Sequence, residues 1–268
     1  MAFIKLNYKS KELGREISAQ VFLPADLLGE EAEPPYRTCY FLPGYSAGGT
    51  ELYTYLGFRM QCDLKGIAVV IPEGENSFYI DHPERGMNYS SYVGAELVEM
   101  TRKLLPLSDK REDTYIGGIS MGGFGALYNG LRYRDTFSKI AVMSPVVDCL
   151  ELTSKDTCAD AGFPEGLFHY LFGEEKEYLK SDANLKKFYL EADKDKMPET
   201  FLCCGRQDRL VYRQVKAFVD VLRENGKAVS YKETDGDHEL EFWGNMMDPV
   251  FSFLAGIKEG EKNRMVLK

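Results

Sequence analysis

Apolar and polar residues alternate over residues 2–8 and 15–23, the two-residue period of strands with one face covered. YRTCYFLP, with its strand at 37–42, is closer to a continuously buried run. IAVVIP at 67–72, DTYIGGIS at 113–120, KIAVMSP at 139–145, TFLCCG at 200–205 and AVSYKET at 228–234 continue the series to eight predicted strands. Helical patterns fill most of the later gaps: 50–64 behind a Thr50 cap, 89–105, 123–133, 211–225 and 239–256. Strands followed by helices of this length demand right-handed crossovers. They imply a mostly parallel eight-stranded sheet flanked by helices, with two antiparallel strands at the front. The fold class is α/β.

Residues 148–198 break the alternation. They are rich in charges and aromatics, carry short helical hints such as GLFHYLFGEEKEYL, and separate the strands KIAVMSP and TFLCCG. An insertion at that edge of a sheet either covers a ligand site or is a solvated helical excursion. No repeat, low-complexity tract or linker divides the chain, so residues 1–268 are expected to form a single domain.

Composition narrows the function. The 33 Lys+Arg against 42 Asp+Glu give a net charge of -9, which argues against a nucleic-acid or anionic-membrane partner. No leader-like N-terminus and no run long and apolar enough to span a bilayer is present, so a cytoplasmic location is expected. The six cysteines show neither the density of a disulfide framework nor zinc-ligand spacing, and read as reduced, packed thiols. Cys203 and Cys204 should point to opposite faces of their strand. No metal or cofactor site is expected, and a homo-oligomer is compatible with these features.

The chemistry centres on TYIGGISMGGFGALYNG. It contains Gly118-Ile119-Ser120-Met121-Gly122, a G-x-S-x-G between a strand pattern and a helix pattern. Such a turn exposes a serine oxygen above the sheet in a strained conformation, and small residues two before and two after let strand and helix approach. It also aims the Met121 N–H at the same space. A P-loop is absent, and the G-x-G at Gly123 lacks its third glycine because Tyr128 stands there.

A serine hydroxyl needs a base, and the chain has three histidines. In this architecture the acid and then the histidine follow the nucleophile. His82 precedes Ser120, and His169 lies in the insertion. Only His238, in ETDGDHELEFW, follows the last strand and opens the last helix. His82 and His169 are therefore expected at the rim or surface. Asp208 in TFLCCGRQDRLV is the expected acid, with Asp235 and Asp237 as alternatives. A second oxyanion donor should come from YFLPGYSAGGTEL: the N–H of Tyr45, or failing that Ser46.

GGISMGGFGAL, MNYSSYVGAELVEMTRKLLPL, CGRQD and DGDHELEFW resemble the esterase D family of α/β-hydrolases, and within it the bacterial tributyrin esterases. The resemblance runs from the FLPG loop to the final helix. Its relatives include S-formylglutathione hydrolases, short-chain acyl esterases, feruloyl and acetyl-xylan esterases and mycolyl acyltransferases. It implies a serine carboxylesterase acting on short-chain or aryl acyl esters through Ser120, His238 and Asp208. Two departures bear on the pocket: Pro43-Gly44 where many relatives have His-Gly, and Glu239-Leu240 where relatives often have Asp-Trp after the histidine.

Phe78, Tyr79, Tyr89 and Tyr92, in SFYIDHPERGMNYSSY, are expected either to rim the site and stack on an aryl or sugar group or simply to pack a loop. No Lys/Arg cluster flanks the motifs, which disfavours acyl-CoA or phosphorylated substrates. An acyltransferase or a non-catalytic binding member of the fold are the rival readings.

Overall fold

In the computed structural model, which describes residues 1–26 and 33–258, all eight predicted strands are present. They are β1 (Ala2–Lys9), β2 (Glu16–Leu23), β3 (Arg37–Leu42), β4 (Ile67–Pro72), β5 (Thr114–Ile119), β6 (Lys139–Met143), β7 (Glu199–Gly205) and β8 (Ser230–Thr234). They form one sheet in the order β1-β2-β4-β3-β5-β6-β7-β8. β2 is antiparallel to both β1 and β4, and every other pairing is parallel. The nucleophile motif therefore follows a central strand.

The helices are α1 (Gly49–Tyr55), α2 (Phe58–Lys65), α3 (Leu97–Leu104), α4 (Met121–Arg132), α5 (Lys155–Ala161), α6 (Leu167–Phe172), α7 (Leu185–Glu191), α8 (Tyr212–Glu224) and α9 (Leu240–Ala255). The predicted helix 50–64 is two, broken at Leu56-Gly57. Thr50 is not its cap. Gly48 holds that position, and the carboxylate of Glu73 accepts the Gly49 N–H while Thr50 Oγ1 accepts from Gln20. A charged acceptor from the neighbouring strand end does what a local hydroxyl was expected to do. The 89–105 helix is continuous through a π-helical turn at Tyr92–Glu96.

Alternation along the central strands divides the core in two. Tyr40, Leu42, Ala68, Val70, Ile140 and Val142 face one layer, packed on α3, α4 and α8. Cys39, Phe41, Val69, Ile71, Ala141 and Met143 face the other, packed on α1, α2 and α9. Strands covered on both sides read as unbroken apolar runs, which is why IAVVIP lacks a two-residue period. Cys204 lies in the first cluster and Cys203 in the second, and all six cysteines are buried outside any disulfide. Among the described residues no helix is long and apolar enough to cross a membrane.

The 148–198 insertion folds into a 3₁₀ turn at Cys149–Thr153 and short helices that include α5, α6 and α7. Its inner side chains, Leu152, Leu167, Phe168, Leu171, Leu185 and Tyr189, join the first core cluster, so it is packed down onto the sheet layer.

Strand β5 and helix α4 meet so closely that side chains at the crossing would collide with backbone. A Cβ on Gly118 would overlap the Gly122 carbonyl, and one on Gly122 would overlap that of Leu42. Gly122→Ala is expected to destabilise the protein by ~2 kcal/mol or more, because neither obstacle is a movable side chain. Gly244→Ala, in α9 with open space around it, should instead stabilise by ~0.5–1 kcal/mol. Urea unfolding of the two variants beside the parent checks both signs.

Candidate active site

Ser120 sits between β5 and α4 at φ 55°, ψ -117°, a conformation that side chains rarely adopt. The turn is pinned from both sides: Ser120 N–H donates to the Met143 carbonyl at 3.1 Å, and the Ser120 carbonyl accepts from Val146 at 3.1 Å. The hydroxyl is thereby lifted above the carboxyl end of the sheet.

Two other loops converge on it. His238, in the turn between β8 and α9, places Nε2 3.0 Å from Ser120 Oγ and Nδ1 2.8 Å from Asp208 Oδ2. Asp208, in the loop after β7, is 2% exposed. Its other oxygen accepts the N–H groups of Leu210 and Val211 at 3.1 and 3.0 Å. Bound on both oxygens, the carboxylate is fixed in place and holds Nδ1 as the protonated nitrogen, leaving Nε2 free to accept. Asp235 and Asp237 are close in sequence but occupied elsewhere. Asp235 pairs with Arg206, and Asp237 Oδ1 accepts the backbone N–H groups of His238 and Arg209.

Further contacts steady this trio. The Trp243 ring stands edge-on to the imidazole at 5.1 Å, and its indole N–H donates to Ser144 Oγ at 3.3 Å. Cys204 Sγ lies 3.9 Å from Asp208 Oδ2, and burial pushes the thiol up, so it stays protonated. Neither residue was singled out by sequence reading as part of the site. Trp243 lies five residues past His238, outside the three- or four-residue spacing that puts two side chains on one helix face, so no pattern in the sequence pointed to it.

The loop after β3 brings Gly44 against Ser120, where a Cβ would rest at ordinary contact, 3.6 Å from the serine Cβ. Segment 73–79 suspends this loop. Tyr79 OH donates to the Pro43 carbonyl at 2.9 Å, Asn76 Oδ1 accepts Ser46 N–H at 2.7 Å, and Glu73 takes Gly49 N–H at 3.2 Å. Ser46 N–H is thus spent. Among the described residues no acceptor is recorded for Tyr45 N–H or for Met121 N–H at the start of α4, and both residues lie beside Ser120.

The expected rim of Phe78, Tyr79, Tyr89 and Tyr92 is not where these rings lie. All four are at most 1% exposed, and none lines the groove at Ser120. Phe78 and Tyr79 have positive φ, which tucks the rings inward, Phe78 onto Phe124 and Tyr79 against Gly125. Tyr89 and Tyr92 fall one turn apart on the inner side of their helix, edge to face. Burial pushes the Tyr79 phenol well up, so it remains a donor.

His169 is exposed, its Nδ1 donating to the Gly173 carbonyl at 3.0 Å. His82, expected at the surface, is buried instead. Its Nδ1 stands 3.5 Å from Glu84, and burial lowers its pKa. Neither approaches Ser120.

The groove in front of Ser120 has a volume of about 270 Å³ and is lined by Tyr45, Leu52, Tyr55, Leu56, Ile119, Leu240 and Trp243, with Glu51 at its edge. The insertion adds Ala161 and Phe163. Among the described residues no cluster of side chains is suited to a metal ion.

An activatable serine on such a turn, above a sheet with this strand order, defines a serine hydrolase of the α/β-hydrolase fold. The chain belongs to the Esterase family, whose model matches residues 10–253. It is 31% identical over 270 residues to an acetyl esterase of Caldicellulosiruptor saccharolyticus, covering 97% of this chain and 100% of that one. Among solved structures it is similar to FphF, a fluorophosphonate-binding serine hydrolase of Staphylococcus aureus (TM-score 0.81, 25% identity, 95% and 98% of the two chains). It is also similar to the S-formylglutathione hydrolase FrmB of the same organism (TM-score 0.79, 25% identity, 95% and 98%). The protein is a carboxylic ester hydrolase.

Removing only the Tyr79 hydroxyl separates loop positioning from the catalytic groups themselves. Tyr79→Phe leaves the Pro43 carbonyl unpaired in a buried place, which costs about 1–2 kcal/mol of stability. We expect kcat on 4-nitrophenyl acetate to fall ~10-fold with KM nearly unchanged, as for a loosened oxyanion donor. Steady-state kinetics with a parallel melting curve read the two effects.

Proposed function

We propose that this chain is a serine esterase of short-chain acyl esters, acetyl esters foremost, acting through an acyl-enzyme on Ser120 within a single α/β-hydrolase domain. The observation that carries the reading is the unbroken hydrogen-bonded line from Asp208 through His238 to Ser120 at the mouth of the groove.

In the first half-reaction Ser120 Oγ attacks the acyl carbon. A new Oγ–C bond forms as the hydroxyl proton passes to His238 Nε2, and the carbonyl electron pair moves onto oxygen. Asp208 stays ionised and stabilises the imidazolium through Nδ1–H. The oxyanion is received by the N–H groups of Tyr45 and Met121. Collapse of the tetrahedral centre breaks the bond to the alcohol oxygen, which leaves with the proton from Nε2. Water then repeats the sequence: its oxygen bonds to the acyl carbon as its proton goes to Nε2, the Oγ–C bond breaks, Oγ recovers the proton, and the carboxylic acid departs.

Supporting the acetyl preference is the near full-length likeness to the acetyl esterase. The alcohol is neutral by the same reading. The groove holds Glu51 and no Lys or Arg, and the adjoining depression beside His238 sets Arg209 among Asp160, Asp237 and Glu239. Nothing there offsets the carboxylates of a glutathione thioester, whereas the rings of Tyr45, Tyr55 and Trp243 suit an aryl or sugar alcohol. A cytoplasmic location is supported by six buried cysteines that form no disulfide, the state kept in a reducing compartment.

Ser120→Ala is expected to lower kcat on 4-nitrophenyl acetate by ~10⁴-fold or more and to abolish labelling by a fluorophosphonate probe. Asp208→Asn should cost ~10⁴-fold by stabilising the wrong tautomer of His238 while keeping the fold. Undiminished turnover by purified Ser120→Ala would end this reading.

A further inference from the structure

We propose that Phe163, in the insertion, sets the length of the acyl group by walling a second, much smaller cavity off from the groove, so that the enzyme takes acetyl and refuses longer chains. This rests on the reading of Ser120 as the nucleophile.

Ser120 and His238 are shared by two spaces of unequal size. One is the open groove of about 270 Å³. The other measures about 20 Å³ and is lined by the buried Val146, Leu152 and Val211, each at most 5% exposed, with Glu151, Thr157 and Gln214 at its outer side. The wall common to both is Ala161, Phe163 and Leu210. A water-sized sphere needs roughly 10–15 Å³, so the smaller space has room for about one methyl group.

The two spaces divide an ester between them. After the first step the alcohol must leave and water must enter beside His238, for which the groove of about 270 Å³ has room and the space of about 20 Å³ does not. The acyl group stays bonded to Oγ throughout, and the smaller cavity can hold it during both steps. An acetyl methyl fits there, while a pentanoyl chain would have to displace buried side chains or the wall.

Phe163 is held firmly enough to act as a wall. Helix α5 ends on Gly162 in the left-handed conformation, with Gly162 N–H bonded to the Ala159 carbonyl and Phe163 N–H to that of Cys158 at 2.8 Å. This pair of bonds fixes the residue after the glycine. The Phe163 ring then packs edge to face on Tyr45 at 4.6 Å, bracing the insertion against the oxyanion loop. Beneath the cavity, Gln214 spends its amide on Val147, Asp148 and Leu210, so the floor is tied as well.

The test uses two isomeric esters of similar intrinsic reactivity, butyl acetate and methyl pentanoate, with the full-length enzyme. The parent should favour butyl acetate in kcat/KM by at least ~10-fold, the scale on which a closed apolar pocket discriminates added methylenes. Phe163→Ala should shrink that ratio ~10-fold or more, and Phe163→Leu by less. The ratio is the readout because loosening Tyr45 lowers both rates together, and the Leu variant serves if the Ala variant does not fold. A parent that prefers methyl pentanoate overturns the assignment of the two spaces. Variants that leave the ratio unchanged overturn the role of Phe163. Both results stand apart from a failure of the underlying reading, which would appear as undiminished hydrolysis by Ser120→Ala.

Discussion

The constraint on which the rest depends is the close passage of β5 over the start of α4 at Ser120. A positive φ on a serine is unfavourable by about 1–3 kcal/mol and persists only where its surroundings determine it. Here the surroundings are backbone. Gly118 and Gly122 remove the side chains that would force strand and helix apart, and Met143 and Val146 bond the two polar groups of Ser120. The same closeness lets the β3 loop lie directly on the serine through Gly44. Loosening the crossing would therefore move the hydroxyl, the α4 N-terminus and the β3 loop at once.

The β3 loop has one backbone turn bond of its own, from Ala47 N–H to the Gly44 carbonyl at 3.3 Å. It hangs on Glu73, Asn76 and Tyr79, side chains from the segment after β4. That segment is itself held by Asn129 of α4, which donates to the Tyr79 carbonyl at 3.0 Å. Helix α4 thus positions the serine from its first turn and the β3 loop from its third, through one buried tyrosine. This explains why an aromatic-rich stretch that never touches the groove is buried so completely.

How much of this was legible in the sequence follows from where each signal resides. Strands covered on both faces give unbroken apolar runs, so β3 to β7 could be placed from pattern alone, and chain order then left His238 as the base and Asp208 as its partner. Strand order and chain order survive folding unchanged, and the fold brings Asp208, His238 and Ser120 within hydrogen-bond reach of one another. Thr50 failed as a cap because its rival, Glu73, is distant in sequence and wins by charge. Phe78, Tyr79, Tyr89 and Tyr92 were misplaced because composition distinguishes an aromatic residue from a polar one and says nothing of which way a positive-φ turn aims it. Phe163 was invisible for a related reason: its wall exists only once α5 docks beside the β3 loop.

The net charge of -9, read from composition as a bar to nucleic acid, gains a local meaning at the site. Glu51 stands at the groove, and Asp160, Asp237 and Glu239 line the depression beside His238 together with Arg209. Together they make an environment that repels an anionic alcohol before any contact is made. A negative rim also tends to expel the carboxylate product once the acid ionises, since like charges in a partly dry groove interact more strongly than in bulk water. The sheet and its loops supply geometry for breaking the ester bond, which is the same whatever the ester. Size at the acyl end and charge at the alcohol end come from the residues after α5, from α1 and from the loop around Arg209, and two of these also touch the machinery. Phe163 packs on Tyr45, and the Arg209 loop carries Asp208 with the Leu210 and Val211 N–H groups that hold it, so specificity and rate are coupled there.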